Sequence, residues 1–478
     1  MCDLCGIGSQ EQLARCGRNC SDFSDMHIGH SSISDIEDSD CSDSPFADAM
    51  VVILLMTLFV AEGVFVSLGP LKITPTRAVG VVAFAVLVLG RRIRWVWVDW
   101  FVIITSAIYF LSQSQSVGFD SALEATGRGF LDGGMLYIAG RYITQHRRVF
   151  KTCLRFLVFC LAIFSVTVVI ESVMRVNIHQ MFWGLFGNVY GLFSEERFGL
   201  LRARGWTSHP IMLGLSYAIF VPVALSVVCE KTTFLGRWPG LLVIGLVVGA
   251  LMSGSSGVII TLIIIFALFA WEYLLKTGAW QKWVFAFIGG PCLYLILEFA
   301  SGRPLIRIAM AKLHLTSSMA WYFRWRLYRR VLDSMPGHWF LGYGASPPDE
   351  FTGKIHWSID NYYLAILLSC GLIGLAVWIA FMLSVIFYGG RAVWGGENRQ
   401  SRFARALCLS VLAMGLAQIT VALFSTASSF LWLMMGLAVG VGKRCRINAA
   451  GDAAVTDNLS RNGGHPSRSI PLDELIAR

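Results

Sequence analysis

The stretch HWSIDNYYLAILLSCGLIG, His356 to Gly374, decides the fold. It opens on polar and aromatic side chains and passes without a break into a long apolar run. That order puts His356, Asp360 and Asn361 at the lip of a membrane span. Side chains at a lip reach water-soluble chemistry while the helix behind them holds them in place.

Outward from this stretch the same pattern recurs. Apolar runs of about 20 residues, enough to cross a hydrocarbon core of ~30 Å as helices, fill most of the chain. Of 478 residues 55% are hydrophobic and only 14% charged, against roughly 25% charged in soluble domains. The runs are continuous rather than alternating, which argues against a β-barrel. The expected fold is all-α, a polytopic membrane protein with about twelve transmembrane helices. Six lie at Met50–Leu68, Ile73–Gly90, Trp95–Leu111, Ala122–Ile143, Thr152–Val173 and Pro210–Cys229. Six more lie at Leu241–Ser253, Val258–Leu275, Trp283–Phe299, Tyr362–Tyr388, Phe403–Leu423 and Ser425–Val441.

Charge placement sets the orientation. With the N-terminus inside, the cytoplasmic connections hold Arg91, Arg92 and Arg94; Arg141, Arg147, Arg148 and Lys151; Lys231 and Arg237; Lys276 and Lys282; Arg391, Arg399 and Arg402; and Lys443, Arg444 and Arg446. The short outer turns hold only Lys72 and Arg77. This is the positive-inside asymmetry, with both termini cytoplasmic. Two long segments fall outside, 174–209 and 300–359, the second between spans nine and ten. The organisation is then an acidic, disordered tail (1–49), a transmembrane domain (50–447) and a second disordered cytoplasmic tail (448–478). Translation from Met50 would begin the first span directly.

None of the 12 cysteines lies in either outer segment, so an oxidising compartment finds no disulfide to form there. Five crowd the first tail, as Cys2-x2-Cys5, Cys16-x3-Cys20 and Cys41. That spacing is open to a zinc site as well as to plain disorder.

Charges within spans need partners, because an ionised residue at a helix centre costs roughly 2.5–3.5 kcal/mol on insertion scales. Glu124, Arg128 and Asp132, at i, i+4 and i+8, share one face and form a ladder that Glu62 can join. Asp99 and Glu171, near span ends, read as solvated.

Both outer segments are basic. The first contains EERFGLLRARGWTSHP, with Arg197, Arg202 and Arg204 leading into the span at Pro210. Arginine makes bidentate, permanently charged bonds to phosphate; the alternatives are anionic headgroups or pairing with Glu195 and Glu196. His209 shapes the loop before Pro210. The second contains WYFRWRLYRRVLDSMPGHWFLGYGAS, an amphipathic interfacial helix from Trp321 to Val331, broken at Pro336-Gly337 and followed by a tight turn at Gly342-Tyr-Gly344.

Together these pieces resemble the O-antigen ligase and polysaccharide polymerase superfamily of bacterial inner-membrane glycosyltransferases. RARGWTSHPIMLG resembles the superfamily's Arg–Gly–(Ser/Thr)-His-Pro entry to a span. RWRLYRRVLDSMPGHWFLGYG resembles its Arg-x3-Trp-x3-Leu stretch ending in Gly-x-Gly, with Arg324, Tyr328 and Leu332 matching. DNYYLAILLSCGLIG resembles its His-(Asn/Ser)-x9-Gly-x2-Gly motif, with Asn361, Gly371 and Gly374 in register. Two departures stand out. The turn SGSSG has Ser256 where the superfamily often has arginine, and Asp360 replaces the motif histidine. Polymerases of exopolysaccharide often show Asp-Asn there, which favours polymerase over ligase.

The resemblance implies a GT-C-like fold and glycosyl transfer from an undecaprenyl-pyrophosphate-linked glycan to a sugar hydroxyl. It implies polymerisation of such repeat units into exopolysaccharide or O-antigen, with ligation of glycan to lipid A core as the alternative. The donor is already activated and neither outer segment carries a DxD-type site, so no metal and no cofactor is expected. The expected partners are the lipid-linked donor and acceptor, the bilayer, a flippase and a chain-length regulator, with no nucleic acid. Arg202, Arg204, Arg324 and Arg326 are the candidates for the pyrophosphate. Asp360 is the candidate base, with Asn361 beside it. His356, at i−4, is its rival, with Asp360 then its orienter. Asp360 and Asn361 are also good helix N-caps. A transporter or flippase instead calls for inverted repeats and broken midplane helices; no repeat is present, and the Glu124–Asp132 ladder is its one support.

Overall fold

The computed structural model describes residues 44–68, 71–90, 92–186, 195–197, 199–229, 238–274, 283, 292, 296, 318–347, 359, 361–391 and 399–461. Among them the chain is helical apart from two short antiparallel hairpins. Helix α1 (Pro45–Thr57) is followed by β1 (Val66–Leu68) and β2 (Leu71–Ile73). Then α2 (Pro75–Phe84) runs on as a π-helical turn, Ala85–Leu89. Helix α3 spans Trp100–Val117; α4 (Phe119–Gly129) passes through a second π turn, Phe130–Gly134, into α5 (Met135–Ile143). The long α6 (Arg147–Met174) leads to the short α7 (Ile178–Trp183), then β3 (Glu196–Arg197) and β4 (Leu200–Leu201). Next come α8 (Pro210–Ala218), α9 (Val221–Cys229), α10 (Pro239–Leu251) and α11 (Ser256–Leu274). Last are α12 (Ser318–Ser334), α13 (Tyr362–Arg391), α14 (Arg399–Ala417) and α15 (Ser425–Arg461). Proline opens α1, α2, α8 and α10, where its fixed φ suits the first turn and its missing N–H has no helical partner to lose.

Five helical stretches among the described residues are long and apolar enough to cross a membrane: Val149–Met174, Pro210–Cys229, Ser256–Tyr273, Tyr362–Gly390 and Ser425–Arg446. Pro45–Thr57, Pro75–Leu89 and Pro239–Leu251 are shorter apolar helices. The protein is a helical, multi-pass membrane protein. Its centre is α15, packed on α5, α8, α13 and α14. With lipid outside, helices adhere by close packing rather than by escaping water. Accordingly α15 meets α5 at Gly436, where a Cβ would collide with the Tyr137 carbonyl.

Several boundaries differ from the hydropathy reading. The first helix starts at Pro45 and stops at Thr57, and Val66–Leu68 is a strand rather than the end of a span. The sixth span is two helices joined at Ile219-Phe220, and the tenth is interrupted at Gly371. The last helix continues past Asn448 to Arg461. The ninth span is described only at isolated positions, and the cysteines of the first tail lie outside the described residues.

The buried charges are rearranged too. Arg128 pairs with Glu124 at 3.6 Å, but Asp132 leaves the ladder and takes both oxygens to Arg77, at 2.6 Å for the closest contact. The π turn at Phe130–Gly134 is the reason: its wider turn shifts later residues off the i, i+4 face. Glu62 lies elsewhere, bonded to Ser208 and Thr426. Asp99 and Glu171 are not solvated; they are 2% and 1% exposed. Asp99 tolerates burial because Arg141 Nε donates to it at 2.9 Å, Tyr137 Oη at 2.7 Å and the Val96 N–H at 2.7 Å.

Removing one partner of such a pair strands the other charge, which costs about 3–5 kcal/mol. Asp99→Ala should therefore lower the thermal unfolding temperature in detergent sharply, whereas Asp99→Leu combined with Arg141→Met should recover much of the loss.

Candidate active site

The loop Arg202–His209 carries two of the arginines singled out above. A loop at a membrane end has no helical ladder, so its backbone must be bonded by side chains. Glu171, one turn from the end of α6, accepts the N–H groups of Arg204 at 3.1 Å and Gly205 at 2.8 Å, and Asn177 Nδ2 at 2.8 Å. The Gly205 carbonyl accepts from Asn177 Nδ2 and Gln180 Nε2, both at 3.1 Å. Asn177 also caps α7 through the Gln180 N–H at 2.8 Å. Below the loop Trp206, wholly buried, packs on Phe59, Phe164, His179 and Tyr217. His209 caps α8, its Nδ1 accepting from the Ile211 N–H at 3.2 Å, which is the loop-shaping role its sequence position suggests.

Arg204 and Arg202 are both buried, 5% and 4% exposed. Arg202 Nη1 pairs with Glu195 at 2.5 Å and Nε donates to the Ser253 carbonyl at 3.2 Å. The Ala203 N–H donates to the Met252 carbonyl at 3.0 Å, and Arg197 Nη1 to the Gly254 carbonyl at 3.2 Å. The basic loop is thus seated on the SGSSG turn. Burial, then the neighbouring Arg197, push the Arg202 guanidinium below its usual pKa, while Glu195 opposes both.

The lip of α13 meets the same region. Asn361 is the N-cap, its Oδ1 accepting the Leu364 N–H at 3.0 Å. Its Nδ2 donates to the Ile419 carbonyl at 2.7 Å, and the Tyr362 N–H to the Gln418 carbonyl at 3.0 Å. The turn between α14 and α15 is therefore a hub. Val421 lies where a Cβ on Gly257 of the SGSSG turn would touch it, and Phe424 meets the His209 ring at 6.3 Å. Glu62 accepts from the Thr426 N–H and hydroxyl at 3.1 and 2.7 Å with one oxygen, and from the Ser208 N–H at 2.9 Å with the other. These contacts run unbroken from Asn361 to the arginine loop. Asp360 and His356 lie outside the described residues.

The second basic segment is anchored on α13 as well. Leu327 and Val331 of α12, and Met335 just past its end, pack on Leu364, Leu367 and Leu368. Arg324 lies on this helix and Arg326 is exposed on it. The following loop then enters α13 where Gly371 (φ 65°, ψ −167°) breaks the helix. There the Tyr343 and Gly344 N–H groups donate to the carbonyls of Leu368 and Ser369 at 2.8 and 3.0 Å. In return the Leu372 and Ile373 N–H groups donate to the carbonyls of Trp339 and Phe340 at 2.7 and 3.3 Å. Gly342 (φ 69°) fits because a Cβ would come within 2.6 Å of the Leu368 carbonyl oxygen. The Gly-x-Gly turn and Gly371, apart in sequence, form one interlock.

Residues 241–379 match the family model described as O-antigen ligase. Over this stretch the chain is similar to the O-antigen ligase family. No curated protein matches the chain. The matched segment begins in α10, takes in the SGSSG turn, α12 and the interlock, and ends within α13, so it contains Arg324, Arg326 and Asn361. Arg202 and Arg204 precede it, and their loop is fastened to it by Arg202 and Ala203, which donate to the Ser253 and Met252 carbonyls. The sequence reading assigned Glu62 to the charge ladder and Glu171 to solvent, and gave no role to Asn177, Gln180 or the 418–426 turn; the one signal available was an acidic residue, Glu171, in an apolar run ahead of the basic loop.

Gly342→Ala and Gly371→Ala each impose a left-handed alanine, roughly 1–2 kcal/mol before any collision. Both should lower the unfolding temperature, whereas Gly129→Ala, helical with open space around it, should leave it unchanged or raise it.

A second expectation concerns His179, whose imidazole burial lowers from 6.5 to about 4. Below about 6.5 the unfolded chain binds a proton that the folded chain refuses, so stability should fall with pH until about 4 is reached. The loss is on the order of 3 kcal/mol. Thermal unfolding across that range should show it, and His179→Gln should flatten it.

Proposed function

We propose that this protein polymerises undecaprenyl-pyrophosphate-linked oligosaccharide repeat units at the outer face of the bacterial inner membrane. In this reading the chain has twelve spans, both termini are cytoplasmic, and the lip of α13 faces outward. The observation that carries the proposal is the convergence of the Arg202–Arg204 loop, the SGSSG turn and the Asn361-capped start of α13 at one end of a membrane bundle whose residues 241–379 match the O-antigen ligase model. Buried, permanently charged arginines next to a helix lip suit a lipid-linked pyrophosphate, whose charge grows as it departs.

The step is a displacement. An acceptor sugar hydroxyl attacks the anomeric carbon of the donor glycan, its proton passes to the base, and the bond from that carbon to the pyrophosphate oxygen breaks. Undecaprenyl pyrophosphate leaves with the bonding electrons, its charge balanced in this reading by Arg202 and Arg204 and by Arg324 and Arg326 of α12. Asp360 is the proposed base. At a pKa of ~3.9 an ordinary aspartate is ionised at neutral pH and ready to accept. His356 is the competing base, with Asp360 as its orienter. Asn361 holds the lip in position. No metal enters the step.

The matched family description favours a second reading, ligation of finished glycan to lipid A core. A transporter would use broken helices to line a path. Here the break at Gly371 is filled by the 336–345 loop, whose backbone takes up the freed groups.

Asp360→Ala and Arg204→Ala should each lower polymer formation by at least the order of 10²–10³-fold typical of a lost charge-stabilising group, with membrane levels of the protein unchanged. Purified protein in liposomes with lipid-linked repeats provides the assay. Normal polymer from both variants would sink the mechanism, and accumulation of polymer on its carrier in a deletion strain, instead of single repeats, would decide for the ligase.

A further inference from the structure

The end of the bundle opposite the site contains a cavity that the proposed reaction does not use. Trp97 packs edge-on against Tyr388 near the C-terminus of α13 at 6.2 Å, and Lys443 Nζ donates to the Arg94 carbonyl at 3.2 Å. Asn361 starts the same helix on the far side of the Gly371 break, and the helix from that break to Tyr388 alone runs roughly 25 Å at 1.5 Å per residue. The cavity, about 290 Å³, opens between α2, α3 and the α4–α5 helix, and Phe84, Val88, Val102, Ile103 and Phe130 form its walls. Its exposed surface is entirely apolar. Asp99 and Arg141 lie behind it, but each is satisfied by the other, by Tyr137 and by backbone groups of Val96 and Arg94. What enters is therefore hydrocarbon.

Two features say the space is built. Val88 belongs to the π turn of α2 and Phe130 to the π turn between α4 and α5, so both π turns of the described chain border the same cavity. Such turns concentrate at functional sites rather than in uninterrupted helices. Phe84 and Phe130 meet edge to face at 5.9 Å across them. Trp95, 44% exposed, lines the cavity with the 57% exposed Trp100 ring 6.2 Å from its own, and the exposed Arg94 precedes it in the chain, its carbonyl accepting from Arg141 of the lining. Tryptophan sits at the headgroup level of a bilayer, and a cation there attracts anionic lipid.

We propose that this cavity is a binding site for an anionic phospholipid, with an acyl chain between the two π turns and the phosphate over Arg94. Moving a chain from bilayer to cavity gains little from the hydrophobic effect, because lipid tails are as apolar as the walls. Selectivity then rests on the headgroup, which is why the occupant is anionic. The glycan carrier, whose pyrophosphate belongs at the other end if the function proposed above holds, is the competing occupant.

Full-length protein in mixed phosphatidylglycerol and phosphatidylcholine nanodiscs, released for native mass spectrometry, tests this. The wild type should retain phosphatidylglycerol over phosphatidylcholine by about tenfold, the scale of one or two basic residues near a headgroup. Ile103→Trp should lose the retained lipid; Ile103 is 44% exposed, so a larger side chain is accommodated from the lipid side. Arg94→Glu, whose backbone carbonyl keeps its bonds, should retain lipid without the preference. Equal retention of the two lipids by the wild type, undiminished retention in Ile103→Trp, an unchanged preference in Arg94→Glu, or a polyprenyl carrier as the retained species would each overturn the proposal.

Discussion

Non-helical backbone at membrane depth must find its hydrogen bonds within the protein, and this constraint shapes every part of the candidate site. A bare N–H or C=O in hydrocarbon costs several kcal/mol. The loop that carries Arg202 and Arg204 meets the demand with two carboxylates: Glu171 takes the Arg204 and Gly205 N–H groups, and Glu62 takes that of Ser208. The break in α13 meets it with four backbone hydrogen bonds exchanged with the 336–345 loop, and with the Ser112 hydroxyl of α3, which donates to the Leu341 and Ser369 carbonyls. The groups that satisfy the backbone are also the groups that hold the site still.

The carboxylates serve electrostatics at the same time. Glu171 lies one turn from the C-terminus of α6, where the helix dipole disfavours an anion. Charge-assisted bonds from two N–H groups and Asn177 offset that, and its negative charge lies beside a loop with two buried arginines. Glu195 does the same for Arg202. Two cations can then stay close together in a buried loop without the mutual repulsion that would otherwise push it into water. At the other end of the bundle the same logic applies to Asp99 and Arg141, whose charges cancel behind an apolar cavity.

Hydropathy identified the long spans well because a continuous apolar run has one stable fate in a bilayer. It was blind to what interrupts them. Gly371 in ILLSCGLIG reads as one more small apolar residue, and its break exists because the Phe340 carbonyl approaches from a loop thirty residues away. The i, i+4, i+8 spacing of Glu124, Arg128 and Asp132 predicted a ladder, but Asp132 lies inside the π turn Phe130–Gly134 and pairs with Arg77. Asp99 and Glu171, placed by spacing at span ends, were assigned to water since no sequence signal names a partner 42 or 33 residues away.

The sequence by itself determined that this is a helical membrane protein, which segments are apolar, and the motif pieces that resemble O-antigen ligases, from Arg202 to Gly374. These are local properties: composition, period and the order of residue types along the chain. Tertiary structure alone decided that the Arg204 loop, the SGSSG turn and Asn361 converge, and that Glu62, Glu171 and the turn at Gln418–Thr426 join them. Convergence of that kind depends on which helices pack side by side, and packing is set by close approach between distant segments, which no window along the chain contains.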